Sequence, residues 1–290
     1  MKDKYKALLA VLLAALVGGG VVPMIKLGLR TIPPITFTFL RFFISTLVIL
    51  PLFLREKPKF KAIIEIAKPV ILATVNIFLF YYALGFTSAN VVQITYTTIP
   101  IIVVFLSYFI LKEKVNANKF FGVILGFVGA MILFLFNSVK GYSMTSNAIG
   151  ITLTFSGGVI YSLYLIYSKR LQKKYSPISI TAVFSFVTMV VSFLLSFTEV
   201  DSISSIFNQN SLSMIWLLLY ISVLGTTGYY ILTQYAIKHG SPTISSSTLF
   251  IQPVFTLIWA GFLLGEKVTP SFYISAILII LGAWLVTKES

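Results

Sequence analysis

The sequence predicts an all-α integral membrane protein with ten transmembrane helices, built as two inverted five-helix repeats with both termini in the cytoplasm. Three observations carry that prediction. Hydrophobic residues fill 58% of the 290 positions while charged residues fill 10%, and mean hydropathy is +0.97. A soluble domain needs roughly 25% charged residues to clothe its surface, so lipid must do part of the solvating. Lysine and arginine fall mainly on one side of the apolar segments, and a stretch of the first half recurs in the second at a fixed offset.

A spanning helix takes roughly 20 mainly apolar residues. Such segments lie at about 7–25, 33–54, 67–85, 89–111, 119–136, 147–167, 178–198, 212–235, 242–264 and 270–287. The start, Met1-Lys2-Asp3-Lys4-Tyr5-Lys6, imitates a signal peptide. Its apolar run continues past Gly18-Gly19-Gly20 to Ile25 without a small-x-small cleavage pattern, so an uncleaved first helix is expected. Pro33-Pro34 opens the second segment, and Pro177, Pro242 and Pro270 stand at similar entrances, where a missing N–H costs nothing. Connections are short, leaving little room for a separate soluble domain. There is no cysteine, which excludes disulfides, thiolate metal sites and cysteine nucleophiles.

A net charge of +14 fits either nucleic-acid binding or topogenic lysines, and position decides. Seventeen basic residues fall at the N-terminus, in the 2–3, 4–5, 6–7 and 8–9 loops and at the C-terminus: Lys2, Lys4, Lys6, Arg55, Lys57, Lys59, Lys61, Lys68, Lys112, Lys114, Lys119, Lys169, Arg170, Lys173, Lys174, Lys238 and Lys288. Four fall opposite, Lys26, Arg30, Lys140 and Lys267, and Arg41 lies within the second segment. That bias puts the first set in the cytoplasm and removes the reason to invoke nucleic acid.

Residues 82–133 align without a gap at an offset of 153. Tyr82-Ala83, Ser88, Thr95, Pro100, Phe109, Glu113-Lys114-Val115 and Gly129-Ala130 match Tyr235-Ala236, Ser241, Thr248, Pro253, Phe262, Glu266-Lys267-Val268 and Gly282-Ala283. Upstream, Lys26 and Pro34-Ile35-Thr36 resemble Lys169 and Pro177-Ile178-Ser179 at an offset of 143, the extra residues falling near Glu199-Val200-Asp201. Residues 1–140 and 141–290 therefore read as two copies of five helices. An odd number inverts the second copy, which permits two mirror-related states around a midplane site.

With these residues in hand, the sequence resembles the drug/metabolite transporter superfamily, specifically its ten-helix EamA-type members. The carriers are Gly18-Gly19-Gly20, Lys26, Pro33-Pro34 and Arg41-Phe42, with the repeated Pro100…Glu113-Lys114 and Pro253…Glu266-Lys267 turns. Val17 stands where members often have tryptophan. The resemblance covers essentially the whole chain. It implies a multi-pass protein of the cytoplasmic membrane that exports or facilitates movement of amino acids, other small metabolites or drugs between its two halves. It implies lipid and a small solute as partners, no cofactor, no metal and no nucleic acid.

No acidic residue lies in the middle of a span, although intramembrane carboxylates commonly mark proton or cation sites. Small zwitterionic or neutral amphipathic solutes are therefore expected, amino acids first; the alternative is proton-coupled efflux of organic cations. An intramembrane enzyme would need a nucleophile with a base, paired carboxylates or metal ligands within the spans, and none is there. Glu113 and Glu266 read as helix-end turns or as coupling groups, and His239 lies in the expected 8–9 loop. Arg41 can recognise a substrate carboxylate or tie neighbouring helix ends.

Polar residues at helical spacing supply the remaining candidates for a cavity: Gln93 and Tyr96, Tyr161 and Tyr164, Thr227 and Tyr230, Thr248 and Gln252, with Asn76 near the middle of the third segment. Interhelical hydrogen bonding is the competing reading for each. Pro100 and Pro253 should bend their helices, as hinges or as fixed kinks. Gly122-x-x-x-Gly126, with Gly129-Ala130 beyond, offers a close helix contact within a monomer or across a homodimer.

Overall fold

Long apolar runs become long helices because lipid offers no partner for a free backbone N–H or carbonyl. The computed structural model describes residues 2–87, 89–138, 147–199, 212–264 and 270–287, and these are helical apart from short connections. Ser88, Lys140, Val200-Asp201, Glu266-Lys267-Val268, Lys288 and Glu289 lie outside the described residues, as do the side chains of Lys2, Lys4, Lys26 and Phe262.

The first expected segment is two helices, α1 (Lys2–Gly19) and α2 (Val21–Gly28). Next come α3 (Pro34–Arg55) and α4 (Phe60–Leu84), then α5 (Ala89–Tyr96) and α6 (Ile99–Leu106), which ends in wide π-type turns over Ser107–Leu111. The chain continues through α7 (Ala117–Ser138), α8 (Ala148–Leu171), α9 (Pro177–Ser196) and α10 (Leu212–Leu219). A second π-type stretch, Tyr220–Gly228, leads into α11 (Tyr229–His239), followed by α12 (Pro242–Ser246), α13 (Thr248–Leu264) and α14 (Pro270–Thr287). Seven of the described helical stretches are long and apolar enough to cross a membrane; the apolar parts Ala117–Ile132 and Tyr273–Thr287 are shorter. Exposed Leu47, Phe121, Leu194, Trp216 and Ile277 face outward, as lipid-solvated side chains do.

α3 and α9 pack antiparallel, and a carboxylate beyond the end of each reaches the start of the other. Pro33 precedes α3 and has no side-chain acceptor, so the first-turn donors need one from elsewhere. Glu199, just beyond α9, supplies it, accepting from the N–H groups of Ile35 (3.1 Å) and Thr36 (2.8 Å) and from the Thr36 hydroxyl (2.8 Å). At the other end Ser176 caps α9 through the Ser179 N–H (3.0 Å), and Glu56 at the end of α3 accepts from the hydroxyls of Ser176 (2.6 Å) and Ser179. Between these ends Ser45 joins Ser185 (3.0 Å) and Thr227 (2.8 Å). The remaining pairs are α4 with α8, α1 with α11 and α13, and α7 with α14.

Glycine sets the α7–α14 crossing. A Cβ on Gly122 would lie 2.6 Å from the Gly282 carbonyl, and one on Gly282 would lie 2.6 Å from the Gly126 nitrogen. The small-residue face of α7 is thus spent on a contact inside one chain. Two of the loop cations also hold helix ends. Lys169 Nζ donates to the carbonyls of Gly240 (2.6 Å) and Ile237 (2.8 Å) at the end of α11, and Arg170 donates to the Ile110 carbonyl (3.1 Å). Cations suit the negative end of a helix dipole.

Two stability outcomes follow. Glu199→Ala should remove the α3 cap and lower unfolding stability by about 0.5–2 kcal/mol, read as a lower midpoint of thermal unfolding in detergent. Gly122→Ala should cost about 1–3 kcal/mol by overpacking the crossing, whereas Ala117→Gly at the exposed start of α7 should cost about 1 kcal/mol or less in the same assay.

Candidate solute-binding site

Three breaks in helical geometry bring polar groups to one place. α5 ends at Tyr96 and α6 begins at Ile99, so Pro100 sits in a first turn instead of interrupting a helix. Its offset partner Pro253 stays inside α13, and the break there falls earlier, at Ser247. The third is the π-type stretch before α11. Thr226 and Thr227 hydroxyls bond five residues back, to the carbonyls of Ile221 (2.8 Å) and Ser222 (3.2 Å). The Gly225 carbonyl lies in the same widened stretch.

Arg41 of α3 takes it. Its Nη2 donates to the Gly225 carbonyl (3.3 Å) and its Nε to the Thr226 hydroxyl (2.6 Å), and the residue is 6% exposed. A guanidinium carries five N–H donors. Among the described residues those two bonds are all that Arg41 makes, and no carboxylate is paired with it. The rest of the group faces a cavity of about 130 Å³. Its walls come from Gly18, Val21 and Ile25 of α1–α2; Asn76, Ile77, Phe80 and Tyr81 of α4; Tyr96 of α5; Tyr161 of α8; Gly225; Tyr229 and Tyr230 of α11; and Leu249 and Gln252 of α13. The described lining contains no acidic residue.

The polar wall is held in place from behind. Asn76 Nδ2 donates to the Tyr96 hydroxyl (2.6 Å) and to the Gly157 carbonyl (2.9 Å). Gln252 Nε2 donates to the Gly18 carbonyl (3.0 Å). Phe80 stands edge-on to Tyr96 (5.6 Å between centroids), and Tyr229 edge-on to Tyr230 (5.2 Å). The buried Tyr81 hydroxyl has no hydrogen-bond partner among the described residues.

Two sequence comparisons bear on this architecture. The pattern of the EamA-like transporter family matches residues 5–135 and again residues 148–288. The chain belongs to the EamA-like transporter family. It is a multi-pass transporter of the cell membrane, and not an enzyme. An uncharacterized transporter of Archaeoglobus fulgidus is 26% identical over 100% of this chain and 99% of its own length. The uncharacterized transporter YoaV of Bacillus subtilis is 24% identical over 97% of each. A solved crystal structure covering 96% of this chain and 95% of its own superposes with a TM-score of 0.79 at 16% identity, a likeness of fold.

In this EamA-like transporter the expected polar residues converge in part. Arg41, Asn76, Tyr96, Tyr161, Tyr230 and Gln252 line the one cavity; Gln93, Tyr164, Thr227 and Thr248 do not. Thr227 misses because the π-type turns shift the 3.6-residue phase that linked it to Tyr230, and its hydroxyl meets Ser45 instead. Tyr164 is fully buried and accepts from Gln234 Nε2 (2.7 Å), which also donates to Ser168 (3.1 Å). Thr248 is buried beside the break at Ser247, and its hydroxyl has no partner among the described residues. Gln93 is half-buried on α5. Glu113 accepts from the Thr243 hydroxyl (3.3 Å) with Lys119 at 4.0 Å, and His239 meets Asp3 (3.3 Å), both away from the cavity.

Tyr81 and Tyr229 belong to the lining without having been expected there. The signal for Tyr229 was its neighbour Tyr230, obscured by the assumption of a regular helix. Asn76→Ala should strip the Tyr96 hydroxyl of its donor and remove the tie to the Gly157 carbonyl, costing about 1–3 kcal/mol of stability by thermal unfolding in detergent.

Proposed function

We propose that the chain is a secondary transporter or facilitator of small zwitterionic or neutral amphipathic metabolites, amino acids first, working by alternating access around the Arg41 cavity. The observation that carries this reading is a buried guanidinium on the wall of a largely apolar cavity whose described lining holds no carboxylate to neutralise it. A buried charge without a counter-ion is costly, and a solute carboxylate would remove that cost while accepting a forked hydrogen bond. The tyrosine rings give apolar faces for the rest of the solute.

Size and charge both favour this over efflux of organic cations. Drug-sized ligands occupy pockets of about 300–1,000 Å³, whereas this cavity holds about 130 Å³. A cation would also meet Arg41 with no acid beside it. Export is the direction that the resemblance to drug/metabolite transporters implies.

Alternating access rests on reading the chain as ten spans in two inverted halves, residues 1–140 and 141–290, with cytoplasmic termini. The double family match supports it, as do the 153-residue offset and the seventeen-to-four distribution of basic residues. So does the pairing of helices. Under a two-fold relation of the halves, α3–α9 and α7–α14 are self-matching pairs, while α4–α8 and α1–α11 exchange with each other. The breaks near Pro100 and at Ser247 then lie in the matching fourth and ninth spans, the second a few residues earlier, and with Pro100 and Pro253 they are the hinges of this reading.

Flux of a solute panel into liposomes, with and without a pH gradient, tests the reading. Saturable uptake of at least one amino acid is expected; organic-cation efflux driven by the gradient with no amino-acid flux would overturn it. Arg41→Gln should weaken apparent affinity for a carboxylate solute by roughly 10- to 150-fold, the worth of a hydrogen bond to a charged group, and spare its amide analogue.

A further inference from the structure

A second cavity, of about 460 Å³, opens where the turn between α3 and α4 meets the start of α9. It shares no residue with the Arg41 cavity. Four lysines line it: Lys57, Lys59, Lys61 and Lys174. Two carboxylates line it as well, and both are already engaged. Glu56 accepts from Ser176 (2.6 Å) and Ser179, and Glu65 accepts from the Tyr175 hydroxyl (2.5 Å) and from Lys174 (3.4 Å). Among the described residues Lys57, Lys59 and Lys61 form no ion pair. With four lysines against two carboxylates the cavity keeps an excess of positive charge.

Its other wall is apolar, with Phe53, Ile63 and Ile66. Just outside, Leu54 and Phe60 are 59% and 76% exposed, as residues turned to lipid are. Lys57 holds a left-handed backbone (φ 48°), which a non-glycine residue keeps only where its surroundings fix it, so the turn is a formed feature. A cationic rim above an apolar wall, at the end of two lipid-facing helices, matches one chemistry: a phosphate group carried on a glycerol with acyl chains.

We propose that this cavity binds the phosphate of an anionic phospholipid, with Lys57, Lys59, Lys61 and Lys174 around the headgroup and the glycerol region against Phe53 and Ile63. The proposal does not depend on the solute assigned to Arg41. A lipid held here bridges the α3–α4 turn to the start of α9, beside the Glu56 cap.

Native mass spectrometry of the purified full chain, titrated with phosphatidylglycerol or phosphatidylcholine, tests it. The wild type should retain phosphatidylglycerol in preference. K57Q/K59Q/K61Q/K174Q should lose at least tenfold of that retention, since each lysine at an anionic surface is worth about fivefold. A control, K112Q/K114Q/K119Q/K238Q, removes the same charge elsewhere on the expected cytoplasmic face and should retain the lipid. Equal loss in both variants, or no loss in the first, overturns the site. Thermal unfolding with inorganic phosphate separates the sources: protection of the wild type by millimolar phosphate with none by phosphatidylglycerol overturns the lipid assignment. Should the quadruple variant fail to give monodisperse protein, K57Q/K59Q replaces it, with a loss of at least fivefold expected and an unchanged retention overturning the proposal.

Discussion

In a lipid-solvated protein the end of a helix is its weakest place, because the first N–H groups and last carbonyls have no partner within the helix and none in the hydrocarbon. The α3–α9 pair answers this reciprocally. Glu56, at the end of α3, secures the start of α9, and Glu199, at the end of α9, secures the start of α3. Each carboxylate thereby also neutralises the positive end of the helix it caps. With both ends tied and Ser45 joined to Ser185 between them, this pair is held along its length, and α4, α11 and the π-type stretch pack on it. Arg41 hangs from it and reaches its acceptors in the π-type stretch.

That arrangement shows how far the chain can be read from its residues alone. Apolar runs and proline-marked entrances locate the helices well: Pro34, Pro177 and Pro270 each begin one. The offset of 143 residues that relates Lys26 to Lys169 also relates Glu56 to Glu199, and Thr36 to Ser179. The reciprocal caps were therefore present in the sequence as a repeated pair of acids, each placed beyond a span and each facing a hydroxyl in the other copy. They were passed over because a lone acid near a helix end ordinarily pairs with a loop lysine. Lys169 and Arg170 show the converse: they count toward charge bias, and they also close the ends of other helices.

What the residues did not reveal was local departure from 3.6 residues per turn. A polar stripe such as Thr227-Tyr230-Gln234 presumes a regular helix, and the widened turns over Tyr220–Gly228 break the phase between its first and second members. Thr227 is left tying helices together, Gln234 joins a buried network with Tyr164 and Ser168, and Tyr230 alone reaches the cavity. Proline announced the break near Tyr96 but not the one at Ser247, which falls among serines that bond back to their own helix, as Ser246 and Ser247 do to Thr243 and Ile244.

The same departures explain why an arginine can sit there at all. An isolated cation in a protein interior is tolerable only with oriented dipoles around it. A regular helix has none to spare, since its carbonyls are consumed along its own axis. The widened stretch before α11 presents the Gly225 carbonyl and the Thr226 hydroxyl to α3, which supplies two dipoles and stops short of a full charge. A carboxylate in that place would have satisfied Arg41 and closed the site. Partial compensation keeps the guanidinium folded into the wall and still attractive to an anion. That balance is what the proposed role asks of Arg41, a group that must hold a solute and also let it go.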